Sequence, residues 1–425
     1  QKAIGDIIWH CHLYPHFHRG MWGMWRVHDV LEEGQWPDGR PRLYPDGTPI
    51  RPLQPLPDRV EPPVPTADRP GFPLFIPGKY PQKSPYPPGH PQRTELCPVE
   101  QNYLLPDRYP GEGFVEIGPR KPADRKFNIV VHKADVVYNR DGWHDPDGHF
   151  FVLEEDEEAV LSGKKPVEPL YIRANSGDVI ELTFTNKLPT PIPAQTNEFN
   201  TPHPTRECSL HQHFVKFDPL VSDGASVGWN YLSAVNPGET ITYRWFADEQ
   251  EAGEGEEEKG DLGAVFFHDH LMANFRQKHG LFGGLLVEPK GSKHLDPETL
   301  EEVPPGRTSG SRAVIQLPDG STFREICLAV ADFVPLFDRC GEAINPPNHP
   351  ETEFDHGEDN GAMAVNYRCE PIRLREGDPS RWFSTADHDD PYTGVFETYA
   401  GEPIHIRLIQ GSHEEQHSFM LHGLR

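Results

Sequence analysis

Cysteines, basic residues and long apolar runs are all scarce in this sequence. Its 425 residues include six cysteines, too few for the disulfide framework of small secreted domains. Lysine and arginine number 40 against 66 aspartates and glutamates, so the basic face needed to bind nucleic-acid phosphates is not expected. No apolar run approaches the roughly 18 residues of a membrane-spanning helix. The composition therefore argues against a disulfide scaffold, a nucleic-acid partner and a membrane span.

Both ends of the sequence lie in segments whose residue pattern is typical of β-strands. An apolar run, Ile4 to Trp9, follows Gln1 almost directly, without the charged region, apolar region and cleavage site of a signal peptide. The sequence stops equally abruptly at Arg425. We therefore expect a fragment of a longer protein, with its terminal domains truncated and the remaining domains as its partners.

The chain alternates between proline-rich segments and segments with the composition of β-strands. Proline without apolar periodicity is typical of an extended connector, whereas β-branched and aromatic runs between turn residues predict strands. No long amphipathic helix is predicted, so the fold class is all-β. The predicted segments are the end of one β-domain (1–34), a Pro-rich linker (35–124), a complete β-domain (125–292), a second linker (293–322) and the first part of a further β-domain (323–425).

Two internal repeats support this division. The matching segments are GDVIEL at 177–182 with GEPIHI at 401–406, each preceding a histidine motif, and HCHL with GMWG at 10–23, matched by HDHL with GLFG at 268–283. The same domain pattern therefore occurs more than once along the chain.

Histidines separated by one residue are more frequent than chance predicts. With 23 histidines in 425 residues, random order gives roughly one His-x-His pair. The sequence has four, at 10/12, 16/18, 211/213 and 268/270. Residues two apart in a strand point to one face and the residue between them to the other. His10 and His12 can therefore bind metal on one side of a strand while Cys11 binds metal on the other.

The residues after Cys11 complete the ligand set of a blue copper site. Such a site combines a thiolate, imidazoles and a weak axial thioether, and His16 and Met21 lie five and ten positions after Cys11. A lone methionine or cysteine is more often a core residue. The combination of all three in one short segment favours copper.

These motifs resemble the copper motifs of multicopper oxidases. The segment from His10 to Met21 is similar to that family's last copper motif, and the pairs at 211/213 and 268/270 are similar to its first two. The resemblance implies tandem cupredoxin domains, which are Greek-key β-barrels. It also implies type 1 copper at Cys11, His16 and Met21, type 2 copper at His211, and a type 3 pair held by His10, His12, His213, His268 and His270.

Two positions depart from the family pattern. In HSFMLHG at 417–423, Met420 stands where a cluster histidine is expected, so His417 is either the type 1 ligand of a further domain or an ordinary strand histidine. Asp269 stands in the place of Cys11, so the 125–292 domain is expected to lack a type 1 site. This alternation resembles large oxidases of the ceruloplasmin and bacterial manganese oxidase kind.

The resemblance implies a copper-dependent oxidoreductase. Single electrons would pass from a reducing substrate through Cys11 to His10 and His12, and O2 would be reduced to water at a three-copper cluster. Metal ions and phenols both remain as substrates, and the acidic residues 249–261 form either a solvated loop or a cation-collecting surface. A copper nitrite reductase and a non-catalytic electron-transfer or copper-binding cupredoxin array remain as alternatives. The family resemblance further implies an extracytoplasmic location.

Overall fold

The computed structural model describes residues 5–10, 20–28, 30–35, 39–44, 46–66, 122–189, 206–217, 222–224, 234–247, 262–346, 360–412 and 417–422. These residues form 16 β-strands, and the longest helix among them has six residues. The predicted all-β fold class is therefore confirmed. In the described part of the chain, no helix is long and apolar enough to cross a membrane.

The strands fall into four sheets. The first holds β1 (Gly5–His10) and β2 (Trp22–Val27). The next nine strands are β3 (Arg125–Val137), β4 (His144–Leu153), β5 (Leu170–Asn175), β6 (Val179–Asn186), β7 (His211–Gln212), β8 (Lys216–Phe217), β9 (Thr240–Phe246), β10 (Gly263–His268) and β11 (Phe282–Glu288). They form two sheets, in the orders β4-β3-β6-β9-β8 and β5-β11-β10-β7.

A further sheet follows along the chain. It contains β12 (Lys293–Leu295), β13 (Arg312–Gln316), β14 (Thr322–Val334), β15 (Ala362–Val365) and β16 (Ile404–Ser412). The helices are α1 (Glu157–Leu161), α2 (Ala273–Lys278) and α3 (Thr385–His388), with single 3₁₀ turns at Glu154–Asp156, Ile372–Leu374 and Pro379–Arg381.

Strand β11 is buried on both faces, which explains its nearly continuous apolar sequence. Leu285 and Val287 pack into the core between the two sheets of β3 to β11. Phe282 and Leu286 point the other way, into a second core shared with β14, β15 and β16. The two-residue period of a strand thus places β11 between two hydrophobic cores.

The first repeat appears as two hairpins with the same register. His10 pairs with Trp22 between β1 and β2, and His268 pairs with Phe282 between β10 and β11. In each hairpin a glycine lies opposite an aromatic residue: Trp9 with Gly23, and Phe267 with Gly283. A Cβ at either glycine would approach the opposing ring to 2.4–2.5 Å. The predicted repeat is therefore structural.

The second repeat carries an equivalent ion pair. Strands β3 and β6 are parallel, and Arg125 Nε donates to Asp178 at 2.9 Å. Strands β14 and β16 are also parallel, and Arg324 Nε donates to Glu402 at 2.6 Å. The matched segments at 177–182 and 401–406 thus begin equivalent strands in the two sheet systems.

The two segments that were predicted to be linkers, 35–124 and 293–322, differ in how much strand pairing the structure describes in them. Residues 293–322, expected to be a linker, contain β12 and β13, and β13 pairs with β14 along its whole length. Those residues therefore belong to a sheet. Their own sequence has only a weak strand pattern, and pairing with a strand elsewhere in the chain holds them in the sheet. In the other segment, bridges join Gln35 to Pro41 and Leu43 to Pro49, while residues 67–121 lie outside the described ranges.

Candidate metal centre

The two His-x-His pairs of the 125–292 segment meet side by side. Strand β7 pairs with β10 so that His211 lies directly opposite His268. Immediately beyond, the His213 N–H donates to Phe266 O at 3.1 Å. Side chains of directly opposed residues share a face of the sheet, and His270 joins them from the turn after β10. The ring centres of neighbouring histidines lie 4.2 to 5.5 Å apart.

The nitrogen atoms of these rings have the spacing of metal ligands. His213 Nε2 and His268 Nε2 are 3.2 Å apart, and one nitrogen each from His211, His268 and His270 lies within 4.8 Å of the others. Two imidazoles bound to one ion, each at about 2.0–2.1 Å, have their nitrogens about 3 Å apart. The four-histidine cluster therefore fits a metal ion.

Hydrogen bonds on the other ring nitrogens orient two of these imidazoles. His211 Nδ1 donates to the backbone oxygen of Asp223, and His268 Nδ1 donates to the backbone oxygen of Asp269 at 2.7 Å. A histidine that donates through Nδ1 carries its lone pair on Nε2 and is held in the ring orientation that a ligand needs. Neutral imidazole is a donor that suits copper, so the residues present fit the predicted copper.

Asp269, between His268 and His270, points away from them as strand alternation predicts. Its fully buried carboxylate accepts bonds from Ser209 N at 2.9 Å and from Met272 N at 2.8 Å. Ser209 Oγ in turn accepts from His270 N at 3.0 Å. Asp269 and Ser209 therefore join the two segments that carry the candidate ligands.

Sequence comparison links the chain to known copper enzymes. It is 30% identical over 133 residues to an L-ascorbate oxidase of Cucumis sativus, which is 30% of this chain and 17% of that protein. A second L-ascorbate oxidase, from Cucurbita pepo var. melopepo, is 29% identical over 133 residues, or 18% of its length. Over these 133 residues the chain is similar to L-ascorbate oxidases, which are multicopper oxidases. The resemblance predicted from the histidine and cysteine motifs is thereby confirmed.

Other comparisons are more distant, and no protein-family model matches the chain. A multi-copper oxidase from Pseudomonas thermotolerans superposes with a TM-score of 0.31 at 19% identity, over 58% of this chain and 42% of that one. A copper nitrite reductase from Nitrosomonas europaea gives a TM-score of 0.34 at 15% identity, over 68% of this chain and 70% of that one. The segment matched by the two L-ascorbate oxidases spans less than a fifth of each.

An arginine lies beside the residue that replaces the family's type 1 cysteine. The fully buried Arg276 has its Nε 3.6 Å from Asp269 Oδ2, and its Nη2 donates to Glu207 O at 2.7 Å. Cys208, three residues before His211 as His417 is three before Met420, interacts with the same guanidinium, and burial raises the pKa of its thiol. A cationic side chain and a protonated thiol thus occupy this region of the chain.

The remaining predicted ligands are not brought together within the described ranges. His10 ends β1, and Met21 lies just before β2 with half of its side chain exposed. Cys11, His12 and His16 fall outside the described residues, as do acidic residues 249–261, so the type 1 site stays a prediction. His417 lies against β14, with its Nε2 3.2 Å from Asp332 Oδ2.

Some residues that shape this region were not singled out from the sequence. Ser209 and Asp223 have no motif of their own, although both lie near the His-x-His pairs in the chain. Arg276 is seven residues after Asp269 and reaches it only because α2 turns the chain back. The Cys208 position could have been found by aligning the chain's own histidine motifs at 208–213 and 417–422.

Proposed function

We propose that the protein is a copper-dependent oxidoreductase that couples one-electron oxidation of a reducing substrate to reduction of O2 to water. The observation that carries this proposal is the four-histidine cluster, with His213 Nε2 and His268 Nε2 3.2 Å apart. The relationship to L-ascorbate oxidases over 133 residues supports it. The matched segment is short, so the activity of the whole protein is part of the proposal.

Copper, when bound, supplies the one-electron redox chemistry and the site at which O2 is reduced. The chain's own residues hold and orient it. His211 and His268 present Nε2 because their Nδ1 atoms bond backbone oxygens. Both rings are buried, as is His270, and a buried site keeps bulk water from the reaction. Asp269 and Ser209 keep the two ligand segments at a constant separation.

The ligand assignment follows the family pattern. Cys11, His16 and Met21 are proposed as type 1 ligands, and His417 as a ligand of a separate type 1 copper. Because Cys11 adjoins both histidines in the sequence, electrons would have a short covalent path from it to His10 and His12. The cluster ligands are proposed as His211 for type 2 copper and His10, His12, His213, His268 and His270 for the type 3 pair.

The substrate, location and domain plan are also proposals. The net charge of −26 raises the local concentration of cations, which favours a reducing metal ion over a phenol. Family membership favours an extracytoplasmic location. The domain boundaries are proposed at 34/35, 124/125, 292/293 and 322/323, with the second linker contributing β12 and β13 to the following sheet.

Oxygen uptake by the copper-loaded full-length parent protein tests this function. We expect O2 consumption with Mn(II), Fe(II) or a substituted phenol, and no reduction of nitrite under anaerobic conditions. Nitrite reduction without O2 consumption would support the copper nitrite reductase alternative. Stable copper binding with neither activity would support the non-catalytic array, and both outcomes contradict the oxidase.

Replacing the type 1 cysteine separates the two kinds of copper. Cys11→Ser is expected to abolish the intense thiolate-to-copper absorption and leave the other copper ions bound, because in an extended strand Cys11 would point away from its flanking histidines. The matched control is Cys340→Ser, since Cys340 is free and exposed. Loss of all copper from Cys11→Ser would contradict the two-faced strand.

A further inference from the structure

Two buried histidines lie side by side outside the four-histidine cluster. His149 is on β4, and His279 follows the last residue of α2. The backbone N–H of His149 donates to His279 O at 2.7 Å, and the ring centres are 6.1 Å apart. The side chains are 1% and 4% exposed. Neither belongs to a His-x-His pair.

Each of these rings is anchored through Nδ1. His279 Nδ1 donates to Asp145 Oδ2 at 2.7 Å, and His149 Nδ1 donates to Asp147 O at 2.6 Å. A neutral imidazole that donates through Nδ1 carries its lone pair on Nε2. Among the residues that the structure describes, neither Nε2 atom has a hydrogen-bond partner. An imidazole with Nδ1 bonded to a carboxylate or carbonyl is the usual form of a metal-binding histidine.

The two Nε2 atoms cannot bond each other. An imidazole nitrogen lies little more than 1 Å from its ring centre, so a centroid separation of 6.1 Å keeps the two atoms roughly 4 Å apart or farther, beyond hydrogen-bonding reach. A metal ion with bonds of about 2 Å to each nitrogen needs a separation of about 4 Å, which is the lower limit set by the ring positions. The separation of the ring centres is therefore compatible with one ion held by both nitrogens.

The charges near the pair are of both signs. Arg276 and Lys133 act on His149 as positive charges, whereas Asp145 is fully buried and contacts His279. The neighbouring Asp147 is paired with Lys133, and Arg276 is paired with Asp269. A buried carboxylate needs a compensating positive charge, and beside a neutral His279 imidazole one monovalent cation on Nε2 would supply it.

We propose that His149 and His279 together bind one Cu(I) ion, distinct from the copper of the four-histidine cluster. Two neutral imidazoles satisfy a monovalent d¹⁰ ion in linear coordination, whereas structural zinc takes four ligands and calcium and magnesium take oxygen. Within the described ranges, no third histidine, cysteine or carboxylate completes a larger ligand group here. Imidazole suits copper.

The site lies where the two sheet systems touch. Tyr367, just after β15, donates through its hydroxyl to Gly280 O, next to His279. Gln277 of α2 donates to Gly411 O of β16 at 2.9 Å. An ion that links β4 to the end of α2 would therefore also hold the surface on which β15 and β16 pack. Its role is structural, and it does not depend on the proposed oxidase activity.

Anaerobic titration with Cu(I), buffered by a chromophoric chelator, tests the site in the full chain. His149→Gln and His279→Gln are each expected to bind one Cu(I) fewer than the unmodified protein. His144→Gln is the matched control, because His144 is on the same strand but partly exposed and bonded to Asp135. Asp145→Asn retains both imidazoles and is expected to weaken Cu(I) binding by about 10–100-fold.

Two results would overturn the proposal. In the first, both glutamine variants keep the circular dichroism spectrum of the unmodified protein and bind the same number of Cu(I) ions. That result would assign a bridging water to the two histidines. The second result applies if the glutamine variants do not fold. X-ray absorption is then measured on Cu(I) bound to the His211→Ala/His268→Ala variant, which lacks two ligands of the four-histidine cluster. A spectrum without linear coordination by two nitrogens would contradict the site.

Discussion

The backbone N–H of Ser209 donates to the carboxylate of Asp269 at 2.9 Å, which connects the two segments that carry the candidate copper ligands. Ser209 is two residues before His211, and Asp269 lies between His268 and His270. In the repeat at the start of the chain, Cys11 holds the position of Asp269. Equivalent positions in the repeat are thus proposed to bind copper in one segment and to position the ligand segments in the other.

Asp269→Asn is expected to weaken both the fold and copper binding. The amide N–H groups of asparagine would face two other donors, Met272 N and the Arg276 guanidinium. The buried charge pair of Asp269 with Arg276 is then lost, and breaking such a pair costs about 3–5 kcal/mol. We expect copper affinity to fall by about 10–100-fold. Urea unfolding and competitive copper titration measure the two effects, with Asp319→Asn in an exposed turn as the control. A stability loss with unchanged copper affinity would show that Asp269 positions no ligand.

His268→Ala is expected to remove more copper than His213→Ala. His268 contributes a nitrogen both to the 3.2 Å pair with His213 and to the trio with His211 and His270. We expect His268→Ala and His211→Ala to stop O2 reduction while the blue absorption of the type 1 site remains. Metal analysis and oxygen uptake measure this, with the exposed His405→Ala as the control. Steady turnover in either variant would contradict the cluster assignment.

Four charged side chains, three of them buried and Arg407 partly buried, link the first sheet system to the second. Arg173 Nε donates to Glu325 at 2.8 Å, and Arg407 contacts both Glu325 and Glu288. Burial opposes ionisation of Glu325, but the charges of Arg173 and Arg407 hold the pKa of its carboxyl below the ordinary value. Arg173→Met is expected to lower the free energy of unfolding by about 3–5 kcal/mol, as measured in urea.

The same network has a matched double variant. Arg173→Met/Glu325→Leu replaces two charges by apolar groups and is expected to recover part of the stability that Arg173→Met loses, because no carboxylate is then left without its partner. A double variant as unstable as the sum of both single variants would show that the two residues act independently.

His294 on β12 is expected to make stability depend on pH. Burial, with Arg125 and Arg173 nearby, lowers the pKa of its imidazole to about 3. The unfolded chain therefore takes up a proton near the ordinary pKa while the folded chain does not. Stability is complete above about pH 6.5 and falls as the pH drops towards 3, by roughly 2 kcal/mol between pH 7 and pH 5.

Unfolding in urea at the two pH values measures this dependence. His294→Gln removes the titrating group and is expected to lose roughly 2 kcal/mol less than the unmodified chain over that interval. His422→Gln, at an exposed histidine, serves as the control. Equal pH dependence of His294→Gln and the unmodified chain would contradict the buried neutral imidazole.

The sequence by itself determined the local features of this protein. The alternating run Ile241 to Phe246 predicts β9 because a strand buries every second side chain. The same geometry places His211 and His213 on one face, and the motif resemblance assigned them to one cluster with His268 and His270. By contrast, β4 (His144–Leu153) contains the segment DPDG at 145–148, which is typical of a turn, and no strand was predicted there.

The tertiary structure decided which distant residues meet. That His211 lies opposite His268, 57 residues later in the chain, depends on the pairing of β7 with β10, and local periodicity carries no information about register between strands. His149 and His279, 130 residues apart, meet only because α2 returns the chain to β4. The ligand types could therefore be read along the sequence, whereas the contacts that position them follow from long-range strand pairing and burial.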